Sequence, residues 1–139
     1  EHNGRVWEDS CVEAFLQREG QEVYVNVECS ASLSMLVGRG EGRANRTLFP
    51  PEFIQTIDHT VEILENSNKQ SRWTLEVSLP LDLLGLVKPG EDLRNVQLKG
   101  NFYCCADKHA VPHFLAVSEI GTLKPDFHSP SYFSPIRFA

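Results

Sequence analysis

The apolar positions of this chain repeat mainly with a period of two, which is the spacing of a strand with one buried face. Near the N-terminus, apolar residues occupy positions 12, 14 and 16, and again positions 23, 25 and 27. The dipeptide Glu19-Gly20 between the two runs is typical of a turn. The pattern therefore predicts two half-buried strands joined by a short turn.

The rest of the chain continues with short strands. Apolar runs at 61–64 and 73–79 flank the polar stretch 65–70, which predicts a hairpin, and alternation over 96–104 predicts a further strand. Two short helical turns are expected, one opened by Pro50-Pro51 and one ended by Gly85. The glycines and charges of 38–43 predict a flexible loop. Five or six such strands predict an all-β protein, with antiparallel sheets packed face to face as a β-sandwich.

Length and charge narrow the class of protein. A chain of 139 residues predicts a single domain over residues 1–139. The net charge of -6 argues against binding to nucleic acid or to an anionic membrane surface. No stretch approaches the roughly 18 consecutive apolar residues of a membrane span, so membrane insertion is not expected. The chain begins at Glu1 without a signal-peptide pattern, so we expect a processed or excised piece.

The four cysteines match no zinc-finger spacing and are too few for a disulfide scaffold. By strand parity, Cys11 and Cys105 both point away from the apolar face. They could pair if their strands are neighbours, with Cys29 and Cys104 buried.

The histidines after the last predicted strand invite a metal hypothesis. His109 and His113 are four residues apart, but Pro112 breaks any helix that would place both imidazoles on one face. We therefore assign no metal ligands from the sequence.

The face of the first strand opposite its apolar residues is the candidate binding surface. Period two places Trp7 and Glu13 on it, where they could meet solvent or a ligand. An indole beside a carboxylate suits a sugar, because the C–H face of the sugar packs on the ring and its hydroxyls bond to the acid. Tyr24 and Asn26 on the neighbouring strand present a similar surface. The alternative is that Trp7 only caps the sheet and Glu13 only solvates it.

Evidence for catalysis is weak. Glu13 and Glu28 are among many carboxylates that could form a glycosidase pair, but nothing in the sequence selects a pair. No nucleophile elbow, cysteine-protease signature or HExxH zinc motif occurs. The sequence thus supports no enzyme activity.

Four segments together resemble family 9 carbohydrate-binding modules, particularly the branch found in gut bacteria of the Bacteroidetes type. The segments extend from the first tenth of the chain to its last tenth, and the resemblance includes their order and spacing. They are WEDSCVEAF at 7–15, YVNVE at 24–28, GNFYCCAD at 100–107 and PDFHSPSYF at 125–133.

The resemblance implies a jelly-roll-like β-sandwich that binds β-glycans of the glucan or xylan type without cleaving them. Such a module works beside or linked to a glycoside hydrolase in polysaccharide degradation, outside the cell or in the bacterial envelope or periplasm. Trp7 and Phe127 would then flank a sugar ring. Glu13 takes the place of the family's acidic contact, while Tyr24 and Asn26 take the places of a basic and a polar contact.

The resemblance bears on two further points. Family members tend to hold structural calcium, but the acidic residues of this chain form no recognisable calcium-binding loop, so no cofactor is predicted and calcium is left open. The family domain normally begins some tens of residues earlier, so the sandwich is expected to lack its N-terminal strands.

Two other functions stay open. Haem-binding domains of some oxidoreductases share the sandwich architecture, and here Met35 with His109, His113 or His128 would supply the axial ligands. A structural or protein-contact domain associated with a glycoside hydrolase is the other, and an exposed apolar patch would be its sign.

Overall fold

The structure, a computed structural model, describes residues 1–138, which form nine β-strands and one short α-helix. Three 3₁₀ turns, at Val6–Glu8, Leu93–Asn95 and Pro130–Tyr132, complete the regular structure of these residues. The helix α1 is Pro51–Ile54, and the strands are β1 (Cys11–Arg18), β2 (Tyr24–Ser30), β3 (Met35–Gly40), β4 (Arg46–Leu48), β5 (Asp58–Asn66), β6 (Ser71–Ser78), β7 (Leu98–Cys105), β8 (Phe114–Ala116) and β9 (Ser134–Ile136).

Most strands form one antiparallel main sheet in the order β4-β3-β2-β1-β7-β8. β7 has two partners on the side away from β1. β9 pairs with residues 98–100 of β7, and β8 pairs with residues 103–105. β5 and β6 form a separate hairpin, as the sequence predicted. The all-β, antiparallel sandwich with a few short helical turns is confirmed.

One face of the main sheet, the apolar face, carries the alternating aliphatic residues. Leu16 of β1 and Val25 and Val27 of β2 are buried there, against Leu75 and Val77 of the β5-β6 hairpin. Burial of each such side chain contributes about 1.5–3 kcal/mol. The sequence correctly predicted that these residues lie on the buried face. Strictly alternating side chains of a strand all point to the same face, so burying one of them buries them all.

The opposite face, the polar face, is the one that carries Cys11, Glu13 and Phe15 of β1 and the residues paired with them on β2 and β7. Sequence parity predicted that it could meet solvent, and this is wrong for most of its area. An aromatic cluster covers it, in which Phe133 and Phe127 pack near Phe15. The polar face nevertheless holds all the buried polar residues of 1–138: Glu13, Gln17, Asn26, Glu28, Ser30 and Asn101.

The predicted turns form, but the described residues contain nine strands where five or six were predicted, and part of the glycine-rich segment lies in one of the additional strands. The helical turn opened by Pro51 forms, and Gly85 ends the turn at 81–85 with a left-handed φ of 75°. Gly38 and Gly40, predicted in a loop, lie within β3 instead. A side chain at Gly38 would stand 2.9 Å from the Asn26 Oδ1 atom, so glycine lets neighbouring strands place polar groups over β3. No helix within residues 1–138 is long and apolar enough to span a bilayer.

Candidate functional site

A cavity of about 410 Å³ opens above the polar face, next to β1. This volume lies in the range of roughly 300–1,000 Å³ that is usual for small-molecule sites. Its lining comes from the main sheet, the segment before β1 and the C-terminal loops: Trp7, Glu13, Glu28, Arg43, Arg46, Cys105, Asp107, Phe114, Lys124, Pro125, Phe127 and His128.

Three of the five predicted site residues, Trp7, Glu13 and Phe127, line this one cavity. Trp7 lies in the 3₁₀ turn before β1 and is half-buried, and its carbonyl oxygen accepts a hydrogen bond of 3.3 Å from the Asp107 amide. Phe127 stacks on Tyr103 with ring centroids 4.0 Å apart and is only 8% exposed. One face of the Phe127 ring is therefore already covered, and Trp7 is the more accessible aromatic surface.

The other two predicted residues, Tyr24 and Asn26, do not line the cavity. Both are buried, at 1% and 0% exposure. The Tyr24 hydroxyl lies 2.6 Å from Nδ1 of His128, and the Asn26 amide nitrogen donates to Oε1 of Glu28 at 3.0 Å. The structure thus places each of them behind a residue that does line the cavity.

A buried carboxyl pair forms the floor of the cavity. Glu13 on β1 lies directly opposite Glu28 on β2, and both are at most 5% exposed. Burial raises the pKa of Glu13 well above its usual range, and the neighbouring Glu28 and Cys105 raise it further. Burial also raises the pKa of Glu28, although Arg46, whose Nη1 is 3.4 Å from the Glu28 Oε1 atom, opposes this.

Sequence reasoning missed the charged rim of the cavity. The rim has three cationic side chains, those of Arg43, Arg46 and Lys124. Asp107 adds a third acidic side chain to the two carboxyl groups of the cavity floor. Arg43 ends the glycine-rich segment that was predicted to be a flexible loop, and Arg46 follows it. Lys124 lies in an irregular segment, where the sequence offers no periodic signal for its position.

His128 was considered only as a possible haem ligand, yet it lines the cavity. Burial, with Arg46 and Arg43 nearby, lowers its pKa to about 3. The ring is therefore neutral near pH 7. Its ring packs nearly perpendicular to the ring of Phe15 at a centroid distance of 4.9 Å, so it belongs to the packed floor.

The low pKa of His128 predicts a pH effect on stability. Between about pH 6.5 and pH 3 the unfolded chain binds a proton at this residue that the folded chain does not, so its contribution to stability is complete above pH 6.5 and is lost as pH falls. We expect the melting temperature of the wild type to fall more steeply over this window than that of His128→Gln. Thermal melts at pH 7, 6, 5 and 4 measure the difference.

The exposed His113 provides the control, since His113→Gln should follow the wild-type profile. Comparing variants in this way removes the opposite contribution of Glu13, whose raised pKa favours the folded state at low pH. Parallel profiles for the wild type and His128→Gln would contradict the assignment.

The cysteines are arranged as the sequence allowed. β1 and β7 are neighbours, and Cys11 lies directly opposite Cys105. Both are free thiols in this structure. Cys29 is buried as predicted, whereas Cys104 is only half-buried.

The structure also bears on the cofactors considered from the sequence. The candidate metal-binding group found within residues 1–138 includes two cysteines, whereas Ca²⁺ takes six to eight oxygen ligands, so that group does not fit calcium. Structural calcium elsewhere stays open. The haem pair Met35–His128 does not fit, because Met35 packs on the apolar face while His128 packs on Phe15 of the polar face.

The comparisons with known proteins agree with this fold. A solved structure of a candidate carbohydrate-binding protein from Bacteroides uniformis superposes with a TM-score of 0.82 and 34% sequence identity, over 96% of this chain. The chain spans 63% of the length of that protein. No curated protein gives a significant match. The family model described as carbohydrate-binding family 9 matches residues 1–138, and the chain therefore belongs to carbohydrate-binding family 9.

Proposed function

We propose that this domain binds a carbohydrate in the cavity above the polar face. The observation that carries the proposal is the composition of that cavity, in which aromatic side chains stand beside both cationic and anionic ones. Membership of carbohydrate-binding family 9 supports it independently.

A sugar satisfies such a lining better than other small molecules do. Arginine and lysine only donate hydrogen bonds and an ionised carboxylate only accepts them, whereas each sugar hydroxyl does both. Here three cationic side chains face three acidic ones around one cavity. A hydrocarbon ligand would displace water from these groups without offering them any hydrogen bond in return, and such burial of polar groups is unfavourable.

Each residue has a role in the proposal. Trp7 is the stacking surface for a sugar ring, and Phe127 closes the cavity from the C-terminal side. Glu13 bonds to a hydroxyl from the floor, and its raised pKa lets it donate as well as accept. Tyr24 and Asn26 act indirectly, because they hold His128 and Glu28 in place.

We further propose that binding occurs without cleavage. Glycosidases place their two carboxyl groups on either side of the scissile bond. Glu13 and Glu28 instead lie side by side on adjacent strands of one sheet face, beneath the cavity. This arrangement supports recognition of the ligand from below.

The finer features of the proposal follow the family. They are a β-glycan ligand of the glucan or xylan type, a role in polysaccharide degradation beside or linked to a glycoside hydrolase, and a location outside the cell or in the bacterial envelope or periplasm. Family membership supports them, and the mixed charge of the cavity is compatible with a neutral glycan.

Tryptophan fluorescence tests the proposal sharply, because the chain has only two tryptophans. Trp73 lies on β6, in the hairpin that covers the apolar face. In Trp73→Phe the emission comes from Trp7 alone, and we expect glucan or xylan oligosaccharides to change it in a saturable manner. In Trp7→Ala we expect affinity to fall at least about tenfold by calorimetry, since the stacking and the buried area are both lost.

A glycan panel spanning neutral and acidic oligosaccharides identifies the ligand class. Binding that survives Trp7→Ala unchanged would contradict the stacking role. No response of the wild type to any glycan in fluorescence and calorimetry would contradict the proposed function itself.

One observation favours a second role in protein contact. Around β8, at the edge of the main sheet, Val111, Leu115, Val117 and Leu123 are 63–106% exposed. This strip is separate from the cavity, since none of the four lines it. A protein contact at this edge would therefore accompany carbohydrate binding without replacing it.

A further inference from the structure

The strongest cluster of metal-ligating side chains in residues 1–138 lies at the cavity floor. The Sγ atoms of Cys11 and Cys105 and a carboxylate oxygen of Glu13 all lie within 4.8 Å of one another. Cys11 and Glu13 are two residues apart on β1, and Cys105 faces Cys11 from β7. Central strands of a sheet hold all three in place, which is the rigid support that a metal site needs.

From this arrangement, we propose that Cys11, Cys105 and Glu13 form a binding site for a borderline-soft divalent metal ion such as Zn²⁺. Zinc takes cysteine sulfur at about 2.3 Å and carboxylate oxygen at about 2.1 Å, commonly in a tetrahedron. Small side-chain rotations bring three donors that are already within 4.8 Å of one another onto such an ion. Two sulfur ligands select against Ca²⁺ and Mg²⁺, which require oxygen ligands.

The surroundings of the cluster suit a cation. The Cys105 thiol already donates to Oε1 of Glu13 at 3.1 Å, so the two groups share a proton that a metal would replace. Glu28 stands opposite Glu13, is 3% exposed, and its Oε2 atom has no hydrogen-bond partner among the described residues. A divalent ion would offset the repulsion of this buried acidic pair, of which Glu28 is the member that forms an ion pair with Arg46.

An ion can reach the cluster from solvent. Glu13 and Cys105 both line the cavity, while Cys11 lies fully buried beside them. On binding, each thiol releases its proton to solvent as its sulfur–metal bond forms, and Glu13, where it carries a proton, releases that proton as its oxygen–metal bond forms, with no oxidation or reduction. Three protein ligands leave a fourth position for a water molecule, as at an open zinc site.

Cobalt absorption tests the site without reference to any sugar. Co²⁺ added to the fully reduced wild type should give thiolate-to-cobalt charge-transfer bands and tetrahedral ligand-field bands that saturate at one ion per chain, and Zn²⁺ should abolish them. We expect Cys11→Ser and Cys105→Ser each to lose most of the charge-transfer intensity. Cys29→Ser and Cys104→Ser, the matched controls, should keep it.

Alkylation of the wild type covers the case in which a serine variant fails to fold. Zn²⁺ should slow the labelling of Cys105 in peptide mapping while leaving that of the half-buried Cys104 unchanged. Absence of charge-transfer bands in the reduced wild type, their persistence in folded Cys11→Ser and Cys105→Ser, or equal labelling of Cys105 with and without Zn²⁺ would overturn the proposal. These outcomes are independent of glycan binding.

Discussion

Replacing Gly100 by alanine is expected to destabilise the domain by about 3 kcal/mol, because the nearest atom that the added methyl group meets is a backbone oxygen, which cannot rotate away as a side chain can. Gly100 lies on β7 opposite Leu16 of β1 and opposite Ser134 of β9. A Cβ atom there would overlap the carbonyl oxygen of Phe15 and come within 2.9 Å of Ile136 Cδ1. To relieve the overlap, the central strand pair must separate.

The expected loss corresponds to a fall in melting temperature of roughly 10 °C for a domain of this size. Gly42→Ala is the matched control, since a Cβ atom at Gly42 meets nothing within 4 Å, and its melting temperature should stay near that of the wild type. Gly100→Ala should also weaken glycan binding, because Phe15 belongs to the aromatic cluster on the polar face. Equal melting temperatures for the two variants would show that β1 and β7 yield more easily than their pairing indicates.

The sequence predicted the parts of the fold that follow from alternation along a single strand. Parity alone separated Leu16 from Glu13, and it also placed Cys11 and Cys105 on the same side of the sheet. The hairpin of β5 and β6 was clear, because turn-forming residues separate two apolar runs. These features are local, and the chemistry of the side chains determines them directly.

The candidate site was only partly predictable, because its geometry depends on contacts distant in sequence. Trp7 was found by parity and Phe127 through the family resemblance, and they line one cavity. The burial of Tyr24 could not be read from β2, because His128, 104 residues away, covers it. Parity shows on which face of a strand a residue lies. The path of the loops determines which segment of the chain covers that face.

The glycine-rich segment was predicted to be a loop but part of it forms a strand, again because of contacts distant in sequence. Gly38 and Gly40 suggested mobility, yet in β3 they serve close approach, since a Cβ atom at Gly38 would stand 3.1 Å from the Arg46 side chain. The sequence alone does not show whether a glycine lies in a loop or in a crowded strand, because the difference depends on the neighbouring strands. The position of Arg46 over the cavity floor depends on this packing.

Removing the Arg46 side-chain charge should be the most damaging change to the electrostatics of the site. Arg46 and Glu28 form a nearly buried ion pair, with side-chain exposures of 14% and 4%. In Arg46→Met the Glu28 carboxyl keeps one hydrogen bond, from Asn26, and Oε2 already lacks a partner among the described residues. An uncompensated buried carboxylate typically costs about 3–5 kcal/mol, so we expect a loss of roughly 3 kcal/mol near pH 7.5.

Acid should reverse much of this loss. Burial raises the pKa of Glu28 and Arg46 opposes the rise, so Arg46→Met should raise that pKa further. The folded variant then keeps a proton that the unfolded chain releases, which makes it most stable at low pH and progressively less stable as pH rises above the usual carboxyl range. Urea unfolding of Arg46→Met at pH 5 and pH 7.5 measures the change. The wild type should differ less between the two values.

A double-mutant cycle isolates the pair. Glu28→Gln combined with Arg46→Met removes the stranded charge, so the double variant should be more stable at pH 7.5 than Arg46→Met alone. Arg43→Met is the matched control, because the Arg43–Asp126 pair is 66% and 50% exposed and such a pair contributes only about 0–1 kcal/mol. Two outcomes would contradict this prediction: equal destabilisation by Arg43→Met and Arg46→Met, or a double variant that is the least stable of the set. Either outcome would show that the carboxyl pair of Glu13 and Glu28 does not depend on Arg46 and that the cavity floor tolerates an unpaired charge.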